Sequence, residues 1–407
     1  MSRPLKMKNA IQPYAWGSLT AIAELLGEPS PSNQPEAELW MGAHPKAPSK
    51  VWYQGRWQSL NKMISQDPLP FLGEAVVNHF GPQLPYLFKV LAVDQPLSIQ
   101  AHPDESMAQK GFARENEQGI SLTAPHRNYR DEHHKPECVC ALTPFTALCG
   151  FRSPDEIRTL LEPIWPGQRR DELEPLSNGD EREALKHIFN HLMRLSKESR
   201  KELIGRLVDA VLPTRDEQPA HEWMVQLNNA YPGDIGVLSP CLLRLVTLQP
   251  GQALFLPSGK LHAYLQGVSI EVMANSDNVL RGGLTPKHVD IDELLRVLTF
   301  DAPALEIIEP ERLGSNHRRY PSHADEFELE AISVDVSEGY DSGKRLNTPE
   351  IVLCIEGEAE LSWGESESTM TIKKGESVIV PADLESYMVD GRAELYKTGI
   401  NPRILDH

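Results

Sequence analysis

The sequence LQPGQALFLPSGKLH (residues 248–262) aligns without gaps with IKKGESVIVPADLES (residues 372–386). Three pairs of similar residues correspond: Gly251 with Gly375, Leu254 with Val378, and Pro257 with Pro381. In each copy a glycine turn precedes a short apolar strand and a proline turn ends it, which is the pattern of one corner of a hairpin-rich jelly-roll barrel. The repeat therefore predicts a mainly β protein that contains two such barrels.

The two copies differ at their last residue, which is His262 in the first copy and Ser386 in the second. Histidine is the commonest metal ligand among protein side chains. If His262 binds a metal ion, we therefore expect the first barrel to be the metal-binding one and the C-terminal barrel to be metal-free.

Hydrophobic periodicity divides the rest of the chain. A nearly continuous apolar run over Leu84–Leu97 predicts a buried strand, and strand-like sequence resumes over Cys138–Leu148. Between Asp155 and Ala230 the apolar residues follow a helical period, as in the i, i+3, i+4, i+7 spacing that starts at Leu185. The expected segments are the first part of a catalytic barrel (1–152), a helical insert domain (153–235), the second part of that barrel (236–300) and a C-terminal barrel (301–407).

The chain is acidic. Its 407 residues include 40 Lys and Arg against 58 Asp and Glu, a formal net charge of -18. Such a surface repels nucleic-acid backbones and anionic lipids, and no Lys/Arg-rich run offsets it, so neither nucleic acid nor a membrane is an expected partner. An anionic small molecule remains a possible ligand if a few cations are gathered in one pocket.

Cysteine usage and apolar runs bear on the cellular location. Five cysteines form an odd number without a disulfide-rich pattern, which favours a reducing compartment. The first residues contain no apolar stretch of signal-peptide length, and no run of 18 apolar residues occurs. We therefore expect a cytoplasmic protein.

Gln100 and His102 are two residues apart in a strand-like stretch, so their side chains are expected to point to the same face. A lone pair of this kind is more often a hydrogen-bonded pair than a ligand set. Together with Glu137 and His262, however, the two residues form a suitable set for Zn²⁺, since imidazole and carboxylate are its usual ligands and a carbonyl oxygen can complete the shell. With one carboxylate the site keeps a formal charge of about +1, which leaves the ion a stronger Lewis acid.

The segment HHKPE leads through Pro136 into the second strand-like stretch. If the strand starts at Glu137, then Glu137, Val139 and Ala141 share one face while Cys138 and Cys140 share the other. The two thiols are therefore expected to be buried structural groups and not ligands of the metal that Glu137 binds.

Arg281 precedes a pair of glycines, whose missing side chains allow a ligand to approach the backbone closely. With Lys287 and Lys135 it can hold a phosphate, the arginine through its bidentate fork and the lysines as point charges. The alternative is that these cations form surface salt bridges with Glu271 and Asp277.

Six motifs occur along the chain: PYAWG (Pro13–Gly17), AELWMGAHP (Ala37–Pro45), LSIQAHP (Leu97–Pro103), HKPE (His134–Glu137), HAYLQG (His262–Gly267) and EVMANSDNVLRGGLTPK (Glu271–Lys287). By these motifs the chain resembles the type I phosphomannose isomerases, which are zinc-dependent mannose-6-phosphate isomerases, over nearly its whole length. The resemblance implies cupin-like jelly-roll barrels with an α-helical insert domain. It also implies interconversion of D-mannose 6-phosphate and D-fructose 6-phosphate, one Zn²⁺ per chain, a small sugar phosphate as partner, and a monomer.

The resemblance implies roles for individual residues. Those implied to bind zinc are Gln100, His102, Glu137 and His262. Arg281 is implied to be catalytic. Those implied to line the substrate site are Lys135, His134, Tyr264, Glu271, Asp277 and Lys287, and those that match family positions near the pocket are Trp16, Glu38 and Ser98.

Such an isomerisation removes a proton from the carbon beside a carbonyl, passes through a cis-enediol and returns the proton to the neighbouring carbon. We expect Zn²⁺, or a water that it polarises, and Arg281 to stabilise the negative charge that develops on oxygen. Lys135 and His134 are the candidate proton carriers, with Glu271 and Asp277 as alternatives, and the sequence does not choose among them.

Two other functions compete. Barrels with His and Glu ligands also hold Fe(II), so a metal-dependent oxygenase is one alternative. A barrel that binds a sugar phosphate without reacting is the other. The linked HKPE and LRGGLTPK motifs favour the isomerase, because an oxygenase does not need Lys135 together with Arg281.

Overall fold

The computed structural model describes residues 3–177, 179–364 and 368–405. Before the insert the strands are β1 (Leu5–Lys8), β2 (Ala10–Gln12), β3 (Glu38–Gly42), β4 (Lys50–Tyr53), β5 (Arg56–Ser59), β6 (Tyr86–Val93), β7 (Ile99–Ala101), β8 (Glu137–Ala141) and β9 (Phe145–Phe151). The helices of this part are α1 (Ala21–Leu26), α2 (Leu60–Gln66), α3 (Pro68–Leu72), α4 (Glu74–Phe80) and α5 (Glu105–Glu117).

The insert is helical. Its α-helices are α6 (Pro154–Leu161), α7 (Glu181–Met193), α8 (Lys197–Val211), α9 (Pro219–Ala230) and α10 (Ser239–Leu242), and its 3-10 helices are Gly167–Leu176, Leu212–Glu217 and Ile235–Leu238. The chain then returns to strands with β10 (Leu243–Leu248), β11 (Ala253–Leu256), β12 (His262–Ala274) and β13 (Leu280–Gly283), followed by helix α11 (Ile291–Val297).

The C-terminal part is again built from strands. They are β14 (Glu311–Arg312), β15 (His317–Tyr320), β16 (Glu328–Val334), β17 (Tyr340–Asp341), β18 (Glu350–Trp363), β19 (Ser368–Lys373), β20 (Ser377–Val380) and β21 (Met388–Gly399), and a 3-10 helix covers Pro402–Leu405. The mainly β architecture with a helical insert that the sequence predicts is confirmed.

The first sheet follows the order β10-β9-β12-β6-β3-β2, with β7, β8, β11 and β13 pairing off this path. β12 is its long central strand. The first residues of β12 pair with β7 and β9, and its later residues pair with β6 and β8. The apolar run expected to be a buried strand forms β6, in which all residues are buried.

The second sheet follows the order β14-β15-β16-β21-β18-β20-β1-β4-β5. β1 lies between strands from opposite ends of the chain, since Leu5 pairs with Ile379 and Met7 pairs with Val51. Strands of the first and the last expected segments therefore share one sheet, which the sequence did not indicate. The four segment boundaries themselves stay a prediction.

Both copies of the repeat form the expected glycine turn and strand. Gly251 has φ 87° and Gly375 has φ 82°, a left-handed conformation that glycine adopts at little cost. A Cβ atom at Gly375 would also lie 2.4 Å from the carbonyl oxygen of Leu25. The short apolar strands that follow are β11 and β20.

The insert packs against the first barrel through the amphipathic face that the sequence predicts. The buried residues of α7 include Leu185, Ile188, Phe189, Leu192 and Met193. The ring centroid of Phe189 lies 5.6 Å from that of Phe151 in β9, which in turn lies 5.5 Å from that of Phe300. These contacts fix the insert beside the strands that carry the candidate ligands.

β8 starts at Glu137, and its two faces separate as expected. Val139 and Ala141 pack in one apolar cluster, whereas Cys138 and Cys140 pack in another. All five cysteines of the chain are buried free thiols. Glu137 therefore faces away from both neighbouring thiols.

Candidate metal centre and the adjoining cavity

Three strand ends place the candidate metal ligands. His102 directly follows β7, Glu137 begins β8, and His262 begins β12. Pairing of β7 with β12 sets Gln100 opposite His262, and opposed residues of this kind have Cβ atoms about 5 Å apart. The side chains of His102, Glu137 and His262 are all buried.

The Glu137 carboxylate lies between two imidazole rings. Its Oε1 is 3.2 Å from His102 Nε2 and its Oε2 is 3.4 Å from His262 Nε2. Ligands that bind zinc tetrahedrally at about 2.0–2.1 Å lie about 3.3 Å from one another. The spacing of the three groups therefore suits a single shared ion.

Backbone carbonyls orient both rings. His102 Nδ1 is 2.7 Å from the carbonyl oxygen of Asn278, and His262 Nδ1 is 3.0 Å from that of Lys260. A proton on each Nδ1 leaves a lone pair on each Nε2, the arrangement usual for metal-ligating histidines. His102 Nε2 is buried and has no hydrogen-bond partner, although the Glu137 carboxylate is close. The donor set fits zinc.

The charge states of the ligands are set by burial and by Lys135. Burial lowers the pKa of His102 to about 4, and the Lys135 ammonium adds to the shift, so the ring is neutral at pH 7. Burial opposes ionisation of Glu137, but Lys135 Nζ, 2.8 Å from Oε1, holds the pKa of this carboxyl well below its usual range. Neutral imidazole and ionised carboxylate are the states in which these groups bind metals.

A cavity of about 740 Å³ adjoins the cluster. The site residues expected from the sequence that line it are Trp16, Glu38, Ser98, Gln100, Lys135, Asp277, Arg281 and Lys287. Lys135 belongs to the cavity wall and also bonds to the Glu137 carboxylate, so it connects the cavity to the metal cluster. The structure thus brings together residues that are far apart in the chain.

Positive charge is concentrated on one part of the wall. Arg281 in β13 pairs with Gln100 in β7, and Lys287 and Arg130 line the same cavity. In the described part of the chain, no carboxylate forms an ion pair with any of the three cations. Burial and the charge of Arg130 lower the pKa of Arg281, and burial, Arg281 and Arg130 lower that of Lys287. This wall is suited to an anionic group.

The carboxylates that the sequence offered as salt-bridge partners for these cations are engaged elsewhere. Asp277 lines the cavity and forms ion pairs with Lys46 Nζ at 2.8 Å and His44 Nε2 at 3.6 Å. Burial opposes its ionisation, yet His44 and Lys46 keep the pKa of Asp277 below its ordinary value. Glu271 pairs with Lys89, whose Nζ is 2.9 Å from Oε2.

Tyr264 and Glu271 are buried beside the cluster and are not among the described residues that line the cavity. The Tyr264 hydroxyl lies 3.0 Å from Glu271 Oε1 and 3.4 Å from Glu137 Oε2. Burial and the two carboxylates raise the pKa of Tyr264, so its hydroxyl stays protonated and donates. Tyr264 therefore supports Glu137 from within the barrel, and Glu271 accepts a hydrogen bond from the same hydroxyl.

Lys89 and Arg130 line the cavity but were missed in the sequence. Lys89 is the one charged residue of the apolar β6, and its Nζ lies 3.5 Å from Glu38 Oε2 and 5.5 Å from the ring centroid of Trp40. Burial alone would lower the pKa of Lys89, but Glu271 and Glu38 raise it. A lysine inside a buried strand must be paired, and that was the available signal. Arg130 gave no comparable signal.

His134 lies in a different place. Its ring lines a separate cavity of about 340 Å³, together with Glu105, His133 and Glu326. His134 Nε2 is 2.6 Å from Glu326 Oε1. Burial would lower the pKa of His134, but Glu326 raises it above the ordinary value. The structure therefore does not bring His134 to the cavity that holds Lys135 and Arg281.

Sequence comparisons agree with this arrangement. The model of the type I phosphomannose isomerase catalytic domain matches residues 5–154, that of the type I phosphomannose isomerase helical insertion domain matches residues 167–243, and that of the mannose-6-phosphate isomerase cupin domain matches residues 316–398. The chain is 42% identical to a mannose-6-phosphate isomerase of Escherichia coli (strain K12) over 395 residues, which cover 96% of this chain and 98% of the relative. It is 37% identical to that of Homo sapiens over 328 residues, 73% of each chain.

Solved structures share the fold. A crystal structure of a mutant phosphomannose isomerase from Salmonella typhimurium superposes with a TM-score of 0.90 at 38% identity, covering 98% of this chain and 100% of the other. A zinc-bound mannose 6-phosphate isomerase superposes with a TM-score of 0.89 at 39% identity and the same coverage. The expected cupin-like fold with a helical insert is confirmed. The chain belongs to the type I phosphomannose isomerase family.

Proposed function

We propose that this chain interconverts mannose 6-phosphate and fructose 6-phosphate through a cis-enediol, with one Zn²⁺ bound per chain. The observation that carries the proposal is a cavity whose wall holds Arg281 and Lys287, which pair with no carboxylate among the described residues, together with Lys135, which bonds to Glu137 of the metal cluster. A sugar phosphate requires such a cationic wall for its anionic end and a proton carrier beside its carbonyl end. The names of the relatives support this substrate.

The proposed zinc ligands are His102, Glu137 and His262, with Gln100 as the fourth. Zinc, when bound there, supplies Lewis-acid polarisation of oxygens on the sugar. Zinc-bound relatives support the choice of metal. Gln100 fits the fourth position because it lines the cavity and pairs with His262 across the strands.

Lys287 is proposed to hold the phosphate as a point charge, since no carboxylate of the described structure neutralises it. Arg130 is proposed to contribute its positive charge, while its guanidinium donates to the carbonyl oxygens of Leu122 and Ala124. Arg281 is proposed to act nearer the metal, because β13 places it opposite Gln100. There its fixed charge can stabilise the negative charge that develops on the sugar oxygens. Trp16 and Ser98 provide an aromatic surface and a hydroxyl for the sugar.

Lys135 is the proposed proton carrier. The Lys135 ammonium donates a proton to O1 of mannose 6-phosphate, and the amine so formed removes the proton from C2, which gives the cis-enediol. The ammonium then returns that proton to C1, and the amine takes the proton from O2, which gives the ketose. His134 is bonded to Glu326 and lines another cavity, and Glu271 does not line this one. Asp277 is paired with Lys46 and lies 3.6 Å from His44 Nε2.

The test is an assay of mannose 6-phosphate conversion to fructose 6-phosphate before and after chelation. We expect chelation to abolish turnover and added Zn²⁺ to restore it, with solvent deuterium entering the sugar during turnover. Full activity of a verified metal-free protein would overturn the zinc proposal. Binding without deuterium exchange would indicate a non-catalytic sugar-phosphate protein, and metal-dependent oxygen consumption would indicate an oxygenase.

Metal analysis of the active protein tests the proposed ratio of one zinc per chain. No helix in the described part of the chain combines the length and apolar character that a membrane crossing requires. The monomeric state and the cytoplasmic location stay predictions, and gel filtration checks the first of them.

A further inference from the structure

Asn278 is a fully buried residue in the segment between β12 and β13. Its side-chain amide uses every hydrogen-bonding position. Oδ1 accepts from the backbone N–H groups of Arg130 at 2.6 Å and Asp131 at 3.3 Å. Nδ2 donates to the carbonyl oxygens of Asp131 at 2.9 Å and His133 at 2.8 Å, and to Asp131 Oδ1 at 3.2 Å. One amide thus fixes the backbone over residues 130–133.

The backbone of the same residue contacts the metal cluster. The carbonyl oxygen of Asn278 is 2.7 Å from His102 Nδ1. This contact holds the proton of His102 on Nδ1 and directs the lone pair of Nε2 towards Glu137. The backbone of Asn278 therefore contacts His102, while its side chain is hydrogen-bonded to a different segment, residues 130–133.

The segment to which the Asn278 side chain is bonded contains one residue that lines the cavity and leads to another. Arg130 is one of its cations, and the His133 carbonyl is two residues before Lys135. Asp131 completes the connection, because its Oδ1 accepts from the Ser276 hydroxyl at 2.7 Å and its Oδ2 accepts from the Asp277 N–H at 2.7 Å. Asn278 and Asp131 thus link the loop before β8 to the loop after β12.

We propose, on the basis of the zinc site proposed above, that Asn278 is a positioning residue that fixes the proposed zinc ligand His102 relative to the Arg130–Lys135 segment. It acts through these groups, and it is not among the described residues that line the cavity. Its loss is expected to loosen His102 and so to weaken zinc retention. Loss of a residue that orients a metal ligand typically lowers metal affinity or activity by about 10- to 100-fold.

The test compares Asn278→Asp and Asn278→Ala with Asn401→Ala. Asn278→Asp keeps the shape and the Oδ1 acceptor but replaces the donor by an oxygen that faces three acceptors. Asn401 is a matched control, since its buried amide donates to the carbonyls of Ser322 at 3.2 Å and Ala324 at 3.0 Å in the C-terminal part. The readout is the rate at which the folded, zinc-loaded protein releases Zn²⁺ to a chromogenic chelator, with circular dichroism as the check on folding.

We expect both Asn278 variants to stay folded and to release zinc about 10- to 100-fold faster than the parent, with Asn401→Ala unchanged. Parental release rates in the Asn278 variants would overturn the proposal. Loss of the folded state in both Asn278 variants but not in Asn401→Ala would also overturn it, because the role would then be structural. Slower turnover with parental zinc release would place the role of Asn278 with the substrate and not with the metal.

Discussion

Arg281 is the residue at which binding and catalysis can be separated. It lies in β13 opposite Gln100, and no carboxylate of the described chain pairs with it. If its charge acts in the transition state, Arg281→Ala lowers kcat about 100-fold with a smaller change in KM, which is the usual loss when one fixed stabilising group is removed. Steady-state kinetics with mannose 6-phosphate at saturating zinc measures both constants.

Two variants serve as controls for Arg281. Arg281→Lys keeps the charge but loses the guanidinium fork, so its kcat is expected to lie between those of the parent and Arg281→Ala. Lys287→Ala is expected to act mainly on KM, since Lys287 is proposed to hold phosphate. A rise in KM alone for Arg281→Ala would move Arg281 to the phosphate site.

Glu328 is a residue whose folded environment opposes its charge. Burial and the neighbouring Glu330 raise the pKa of Glu328 from its ordinary value of 4.5 to about 7. Between pH 4.5 and 7, Glu328 is protonated in the folded chain and ionised in the unfolded chain. The stability that this protonation contributes is therefore fully present below pH 4.5 and is lost as the pH rises through 7. Glu328→Gln cannot ionise and is therefore expected to be more stable than the parent at pH 8.

Urea unfolding at pH 4, 6 and 8 checks this expectation. The difference between Glu328→Gln and the parent should grow with pH and be smallest at pH 4, because effects common to both proteins cancel in the comparison. Glu360→Gln, an exposed change in the same sheet, is expected to give no such trend. A difference independent of pH would show that Glu328 is not protonated in the folded chain near neutrality.

The sequence predicts the role of a residue when a short motif around it indicates that role. It does not predict the role when a residue far away in the chain determines it. His102, Glu137 and His262 follow from short motifs, and the structure places them around one point. The bond between His134 and Glu326 joins positions far apart in the chain, so no spacing within HHKPE could reveal it. Lys89 shows the intermediate case, in which an apolar run predicts burial but not the partner of the charge.

At the scale of elements, the repeat places a glutamate at the same point of each barrel. Glu137 of β8 pairs with Leu256 of β11, and Glu350 of β18 pairs with Val380 of β20. Leu256 and Val380 correspond in the repeat. Glu350 is therefore the positional counterpart of the proposed zinc ligand.

A buried lysine–glutamate ion pair lies beside each of these two glutamates, but the lysine and the glutamate have exchanged strands between the two barrels. In the first barrel Lys89 of β6 pairs with Glu271 of β12, and in the second Glu330 of β16 pairs with Lys397 of β21, in both cases with 2.9 Å between nitrogen and oxygen. Lys397 thus adds a cation next to Glu350, with Nζ 3.6 Å from Oε1. Lys135 lies closer still to Glu137, so this one cation does not distinguish the barrels. Arg345 Nε, however, lies 3.2 Å from Glu350 Oε2, so both oxygens of Glu350 are paired with cations, which is a physical reason to expect a metal-free C-terminal barrel.

Lys397→Met tests how much the buried ammonium of Lys397 contributes to the free energy of unfolding. The change removes the ammonium partner of the buried Glu330 carboxylate and leaves His317 as its contact, so we expect a loss of up to about 3 kcal/mol in the free energy of unfolding. Adding Glu330→Gln should recover part of the loss, because it removes the buried charge that has lost its ammonium partner. Chemical denaturation measures all three proteins.

Lys373→Met is the matched control for Lys397→Met, since its ammonium is exposed and pairs with Glu358 at 3.2 Å. We expect a change within about 0.5 kcal/mol for this surface pair. An equally small effect of Lys397→Met would mean that the buried network contributes little to the stability of the barrel.

For the whole molecule, periodicity predicted the kinds of elements and their order but not every neighbour. The insert and the two glycine-turn strands follow from local sequence, because helix and strand periods are set by nearby residues. The pairing of Leu5 with Ile379 depends on which edge is free when the barrels close, and local sequence holds no information on that choice. The shared sheet is therefore the part of the fold that only the structure reveals.

The shared sheet makes the C-terminal barrel dependent on the start of the chain. β1 covers one side of β20, and Leu5 packs in the same core as Phe327 and Ile379. A fragment of residues 301–407 would expose β20 as an unpaired edge and lose these apolar contacts. We expect this fragment to be unfolded or aggregated when produced alone, as measured by circular dichroism and gel filtration.

Co-expression with residues 1–300 provides the control, because it supplies β1, β4 and β5 from a second polypeptide. Restoration of soluble, folded material would show that the missing strands, and not the break itself, caused the failure. The intact chain should then unfold in one cooperative transition for both sheets, since strands of the first segment belong to the second sheet. A fragment 301–407 that folds and melts on its own would show that the contact of β1 with β20 is dispensable and that the two barrels are independent domains.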